Sequence, residues 1–328
     1  MELPGKLAVV TGGGTGMGRE LVRQLTAVGC AVATCDVAID NLAETAQIAA
    51  AESAGGAVST FVADVSNEEQ LLAFRDHVMT THGTDRIHLL FNNAGIGGGG
   101  SMVVDERDEW EQVFNVCWGG VYLGTRTFLP LLLAADEGHV VNTSSVNGFW
   151  ATLGGRPHTA YSAAKFAVKG FTEALITDFR QHAPHLRASV VMPGHIGTSI
   201  VFNSGSYFGR HPKDLSADDV SRLRERFSAD GADMSAASDE DVRNVVVTMA
   251  EAFRDNAPMS AAAAATVILD GVRAGDWRIL VGDDAHRLDE AVRADPVNAY
   301  EPEFFEALLR DGVFGNLAVN EPPSAPAD

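Results

Sequence analysis

Lysine is almost missing from this 328-residue chain: Lys6, Lys165, Lys169 and Lys213 stand against twenty arginines. Positive charge is in deficit altogether, with 24 Lys and Arg against 44 Asp and Glu and a formal net charge of −20. So acidic a surface repels phosphate backbones and anionic headgroups, which excludes general nucleic-acid or membrane binding. The excess acid lies late: residues 1–210 hold 13 basic and 20 acidic side chains, whereas 211–328 hold 11 and 24. Cysteine is scarce too. Cys30, Cys35 and Cys117 follow no metal or redox spacing and cannot all pair, so a reduced, cytoplasmic compartment is expected. His77, His82 and His88 match no ligand pattern, and no metal site is expected. Long apolar runs are absent: 7–10 is too short for a secretory signal, and the uncharged run 188–209 is broken by Pro193, Gly194, His195, Gly197 and Asn203.

What is present is globular composition, 46% apolar, with 33 glycines that follow no three-residue period. Short apolar runs alternate with helical patterns over the first 200 residues. Strands are expected over 7–10, 30–35, 58–62, 87–91, 139–143 and 187–192. Helices are expected over 18–28, 41–54, 67–81, 105–134 and 161–181. The strand runs are apolar without alternation, the mark of a parallel sheet covered on both faces. Right-handed crossovers then give a doubly wound α/β sheet, Rossmann-like, of about seven strands. The rhythm breaks after Met192. Residues 203–258 read as an inserted helical cap with helices over 217–227 and 240–254, the second opened by Ser238. The pattern resumes with a helix over 261–273 between Ser260 and Gly275 and a seventh strand over 277–281. Residues 283–328 form a C-terminal extension with helical stretches, frayed at Pro322–Pro326. One dinucleotide-binding domain over 1–328 accommodates all of this.

Thr11-Gly-Gly-Gly-Thr-Gly-Met-Gly18 follows the first strand and opens the first helix. Gly12, Gly16 and Gly18 permit a tight turn, close approach of backbone to a pyrophosphate and close helix packing. The helix N-terminus beyond offers free N–H groups to the phosphate. No Gly-Lys-Ser/Thr follows, so this is no P-loop. Asp36 ends the second strand, where a carboxylate accepts ribose hydroxyls and repels a 2′-phosphate. Val37 and Thr15 bring no compensating cation, so NAD is expected over NADP. Asp64 and Val65, at the end of the third strand, border the adenine by the same positional logic; an ordinary turn aspartate is the plain alternative.

Together with Asn92-Asn-Ala-Gly95, Asn115, Ser145, Tyr161-Ser-Ala-Ala-Lys165, Pro193-Gly194 and Thr198, these pieces give the chain its resemblance to the short-chain dehydrogenase/reductase family, in its single-domain branch. Each piece is weak alone; their order and spacing over about residues 5–200 make them strong together. The resemblance implies Asn115, Ser145, Tyr161 and Lys165 as the catalytic group. Tyr161 and Lys165 lie four apart on one helix and so share a face. A lysine cation beside a phenol favours the phenolate, which then takes a proton from an alcohol as hydride moves. Ser145, favoured by the resemblance over Ser144, holds the substrate oxygen; Asn115 holds a water in a proton relay. Asn92, Ala94 and Gly95 pass beside the cofactor. Pro193, Gly194, Ile196 and Thr198 meet the nicotinamide, while Gly12, Thr15, Gly16, Met17 and Gly18 cradle the diphosphate. Phe202, Tyr207, Phe208 and Phe227 are expected to wall an apolar pocket. The activity implied is hydride transfer between NAD(H) and a neutral, largely apolar secondary alcohol or ketone, by a homo-oligomer (dimer or tetramer). A non-catalytic NAD-binding sensor or scaffold and a sugar-nucleotide epimerase or dehydratase are the alternatives.

Overall fold

The computed structural model describes residues 1–313 apart from 104, 154–155, 230–233 and 235; the tail read as frayed over 322–326 lies outside the described residues. Seven strands form the sheet: β1 (Leu7–Thr11), β2 (Ala31–Asp36), β3 (Val58–Val62), β4 (Leu89–Asn92), β5 (Gly138–Thr143), β6 (Leu186–Pro193) and β7 (Arg278–Val281). Their order is β7-β6-β5-β4-β1-β2-β3, and every pairing is parallel. Every residue of β1 and β5 is buried, which is why neither strand shows a polar face turned to solvent. Chain order reverses between β1 and β4, and the crevice beyond the carboxyl ends of those strands is the ligand position of such sheets.

Helices α1 (Gly16–Ala27) and α2 (Ile39–Glu52) cover one face of the sheet. The other face carries α3 (Glu68–His82), α4 (Arg107–Phe114), α5 (Gly120–Leu133) and α6 (Thr159–His182). Leu21, Val22 and Leu25 pack on Val10 and Val32 on the first side, and Phe74, Phe128 and Phe179 on Leu90 and Val140 on the second. The helical stretch expected over 105–134, as one helix or two, is two helices joined by a π turn at Asn115–Gly119. Gly120 explains the close seating there: a Cβ on it would stand 2.6 Å from Val65 Cγ2. Among the described residues the run 107–133 is the one helix apolar enough to cross a membrane, and 56% of its apolar window is buried inside the protein as core.

The insertion departs just after β6 as α7 (Ile200–Tyr207), continues through α8 (Ala217–Ala229) and α9 (Asp239–Asp255), and returns at Met259–Ser260, which pairs with Ile196–Gly197. Ser238 caps α9 as expected, in a reciprocal box with Asp241. Helix α10 (Ala261–Ala274) joins α1 on the first face. Beyond β7, α11 (Asp283–Ala294) and α12 (Pro302–Arg310) close over the loop after β5. Trp150 of that loop is buried against Phe304 and Phe305, and its Nε1–H donates to the Ala299 carbonyl at 2.7 Å.

Candidate active site

The turn between β1 and α1 requires glycine on packing grounds. Gly12 has φ +70° and a Cβ there would lie 2.7 Å from Ala94 Cα; a Cβ on Gly18 would lie 2.0 Å from the Gly12 carbonyl oxygen. Thr15, at the N-cap of α1, makes no capping bond, and the first turn holds no acidic side chain. The helix therefore presents open N–H groups and an uncompensated positive dipole end beside the crevice, which suits a diphosphate. Asp36 accepts from Gly14 N at 2.9 Å through Oδ2 and from Ala38 N at 3.0 Å through Oδ1. Each oxygen keeps a lone pair for a hydroxyl. Asp64 Oδ1 accepts twice from Ser66, at 2.8 and 2.7 Å, and Oδ2 accepts from the Tyr207 hydroxyl at 3.0 Å. Val65 is buried beside it.

Asn92 does not face this crevice. Its Nδ2 donates to Thr125 Oγ1 at 3.0 Å and Asn142 Oδ1 at 2.8 Å, so it ties β4 to α5 and β5. The neighbour Asn93 points the other way, lines the cavity and donates to the Thr11 carbonyl at 3.1 Å. Successive residues of extended chain face opposite sides, so the Asn92 side chain fixes the sheet edge while that of Asn93 lines the cavity.

Tyr161 and Lys165 do share a face of α6, with Nζ 5.3 Å from the Tyr161 ring centroid. Lys165 is 2% exposed and donates to the Thr143 carbonyl at 2.9 Å. Ser145 stands close enough to the Tyr161 phenol to favour its charged form, and accepts from Asn147 N at 3.1 Å. Ser144 turns away and donates to the Lys165 carbonyl at 2.8 Å, which separates the two serines. The electrostatics correct the sequence expectation. Burial pushes the Tyr161 phenol well above its ordinary value, with Cys117 adding to the rise and Ser145 opposing it. Burial likewise pushes Lys165 down. Desolvation of both groups outweighs the help that one gives the other.

Asn115 is likewise displaced from its expected place. It opens the π turn, is exposed, and is not among the residues lining the cavity. Cys117, two residues on and fully buried, is the side chain this turn presents inward. An ideal Cβ on Gly95 would lie 3.6 Å from Cys117 Sγ and 3.5 Å from Lys165 Nζ, and the thiol donates to the Ile96 carbonyl at 3.2 Å. Positions two apart on a helix point roughly 200° from one another, so both cannot face Lys165.

Above this group opens a cavity of about 950 Å³, with Met17, Pro193, Gly194, Ile196 and Thr198 on its cofactor side. Val201, Phe208, Leu215, Leu223, Val246 and Phe253 give its outer walls an apolar surface, and Glu106, Arg156 and Glu225 stand among the charged residues beside them. Of the four aromatic residues expected to wall it, Phe208 does so. Phe202 packs with His211, Tyr207 reaches Asp64, and Phe227 joins the α8–α9 cluster. Two rim arginines are committed to carboxylates: Arg210 to Glu109 at 2.6 Å and Arg222 to Asp219 at 2.8 Å.

The chain matches the family model described as short chain dehydrogenase over residues 6–206. It belongs to the short-chain dehydrogenase/reductase family. Among curated relatives, a Mycobacterium tuberculosis protein named as the oxidoreductase SadH is 35% identical over 290 residues, 88% of this chain and 90% of that one. Among solved structures, a short-chain dehydrogenase/reductase from Burkholderia phymatum in complex with NAD is 28% identical, with a TM-score of 0.70 over 91% of this chain and 95% of that one. A metagenomic short-chain oxidoreductase in complex with NADP is 32% identical, with a TM-score of 0.52 over 58% of this chain and 83% of that one. Short-chain dehydrogenases similar to this chain thus bind NAD or NADP, and oxidoreductase chemistry is the family activity.

Within this family member, several residues at the site escaped the sequence reading. Cys117 and Asn93 are described above. Asn147 is buried and holds the loop after Ser145, donating through Nδ2 to the carbonyls of Trp150 at 3.0 Å and Thr152 at 2.8 Å. Asp284, at the start of α11, accepts from His195 N at 2.6 Å, while His195 Nε2 meets the Phe253 carbonyl at 2.6 Å. His195 thereby connects the end of β6 both to the extension and to α9. Burial raises the Asp284 carboxyl and lowers the His195 imidazole, so the imidazole is neutral and Nε2–H donates to the carbonyl.

Proposed function

We propose that this oxidoreductase transfers hydride between NAD(H) and a neutral, largely apolar secondary alcohol or ketone. The observation that carries the reading is the Ser145–Tyr161–Lys165 group, with Ser145 and Lys165 buried and Tyr161 half-buried, at the floor of a cavity that continues to the uncapped N-terminus of α1. Asn93, Gly95, Thr198 and the backbone of 193–196 line the side where a nicotinamide would be held, and Asp36 would take the adenosine ribose. Bound there, the dinucleotide supplies the hydride acceptor or donor and, when oxidised, a positive charge that opposes the effect of burial on Tyr161. Ser145 donates to the substrate oxygen and orients it. Tyr161 takes the hydroxyl proton of an alcohol at its phenolate oxygen, or gives it back to a carbonyl. Lys165 holds its charge beside the ring, fixed by the Thr143 carbonyl.

Asp36 supports NAD over NADP, since a 2′-phosphate would meet a carboxylate already anchored by two backbone N–H groups. The substrate class follows from apolar walls and from Arg210 and Arg222 being ion-paired. We read the chain as one catalytic unit with α7–α9 as its cap, working in the cytoplasm as a homo-oligomer. The test is a panel of secondary alcohols with NAD, followed through nicotinamide absorbance, with a coenzyme A thioester of a β-hydroxy acid included. Turnover of cyclic or long-chain neutral alcohols is the expected result. A preference for the thioester would overturn the substrate class.

A further inference from the structure

We propose that α7 is a strap across the dinucleotide cleft, and that Tyr207 and Asn203 set the affinity for the dinucleotide by holding Asp64 and Thr15. The inference rests on the dinucleotide reading above and concerns a different set of residues from the catalytic group.

The strap is attached along its length to the walls of the cleft. At its start, the Thr198 side chain comes within 3.2 Å of where a Gly16 Cβ would stand. Asn203 Nδ2 donates to Thr15 Oγ1 at 2.7 Å. Ser204 Oγ accepts from Gly97 N at 2.8 Å. The Tyr207 hydroxyl donates to Asp64 Oδ2 at 3.0 Å, and Arg210 closes the series on Glu109. Two of these partners are groups assigned to the dinucleotide. The bond to Asn203 also accounts for a local oddity: the Thr15 hydroxyl sits at an N-cap yet caps nothing.

Asp64 has one oxygen to contest. Its Oδ1 already accepts two bonds from Ser66, so Oδ2 is the acceptor left for the exocyclic amino group of adenine, which would have to share it with Tyr207. Burial and the Asp64 charge push the Tyr207 phenol up to about 12, so it remains a donor at neutral pH. The strap is lightly seated. Ser204 is the one buried side chain of α7, Ser199 supplies no capping bond, and Gly209 follows in the left-handed region at φ +68°. A ligand that takes Asp64 and Thr15 competes with Tyr207 and Asn203 for them, and any bond it loosens is subtracted from its affinity.

Removing those bonds should therefore tighten binding. NAD and ADP-ribose are titrated calorimetrically into the full chain and its variants, a readout independent of turnover. Tyr207→Phe keeps the ring and is expected to lower the Kd for both by roughly tenfold, the scale of a hydrogen bond to a charged group. Asn203→Ala is expected to lower it severalfold. Ser206→Ala, on the same helix but bonded to the Phe202 carbonyl, is expected to change nothing. Unchanged or weaker binding by Tyr207→Phe, with wild-type binding intact, would overturn the strap. If the wild type binds neither ligand, the dinucleotide reading falls and the strap with it.

Discussion

Tyr161→Phe should abolish turnover of the best alcohol of the panel, lowering kcat by about 10²–10⁴-fold while leaving NADH binding unchanged. The substitution removes one oxygen and keeps the ring, which packs at 4.8 Å between centroids on His158 and sits in the α6 face of the core. A folding defect is therefore not the expected cause of the loss. Neither Ser145 nor Lys165 can replace the lost acid/base. Ser145 is a hydroxyl with no base beside it except Tyr161 itself, and Lys165 is occupied by the Thr143 carbonyl. Steady-state rates and NADH fluorescence titrations on the same preparations separate chemistry from binding. A variant that keeps a tenth or more of the wild-type kcat, roughly, would remove Tyr161 from the reaction.

Asp36→Asn should collapse the preference for NAD. A 2′-phosphate placed against the wild-type carboxylate meets like charge where few waters intervene, and such a contact costs several kcal/mol. That corresponds to a discrimination of roughly 10²-fold or more in kcat/KM. Asparagine removes the charge and retains an acceptor for one of the two backbone donors, Gly14 N or Ala38 N, so the turn that carries the glycines keeps part of its anchoring. The expected outcome is a gain in kcat/KM with NADP and a modest loss with NAD. The ratio of the two constants is the quantity to measure. A ratio that does not move would show that Asp36 serves the turn alone.

Much of this was legible in the chain because the relevant signals are local. The strands read as parallel because both their faces are buried, and β1 and β5 have no exposed residue to betray a solvent side. The glycine turn and the i, i+4 spacing of Tyr161 and Lys165 are each contained in a few residues. What failed depended on geometry that spacing does not encode. The π turn at Asn115–Gly119 lies inside a pattern that reads as plain helix, and its inward side chain is a thiol rather than the amide the resemblance suggested. Asn92 and Asn93 are the same residue type on opposite sides of one strand end. Helix α7 is only eight residues long, begins with β-branched Ile200 and Val201 and carries Gly205 mid-helix, so neither propensity nor periodicity marked it. The contacts of Tyr207 with Asp64 and of His195 with Asp284 join residues 143 and 89 positions apart, beyond any local pattern.

The central claim is that a buried phenol becomes a usable base because positive charge is held beside it. Its most direct test is the pH dependence of alcohol oxidation at saturating NAD. The reacting form is the phenolate, so the rate climbs with pH and levels off above the phenol's pKa. Burial by itself raises the phenol, but with NAD bound the nicotinamide's positive charge adds to that of Lys165, and the wild-type break is expected below the value of about 10 for free tyrosine. In Lys165→Met it should move upward, because burial is then left unopposed by the ammonium. A wild-type break at or above 10, or a break that Lys165→Met leaves in place, would contradict the assignment.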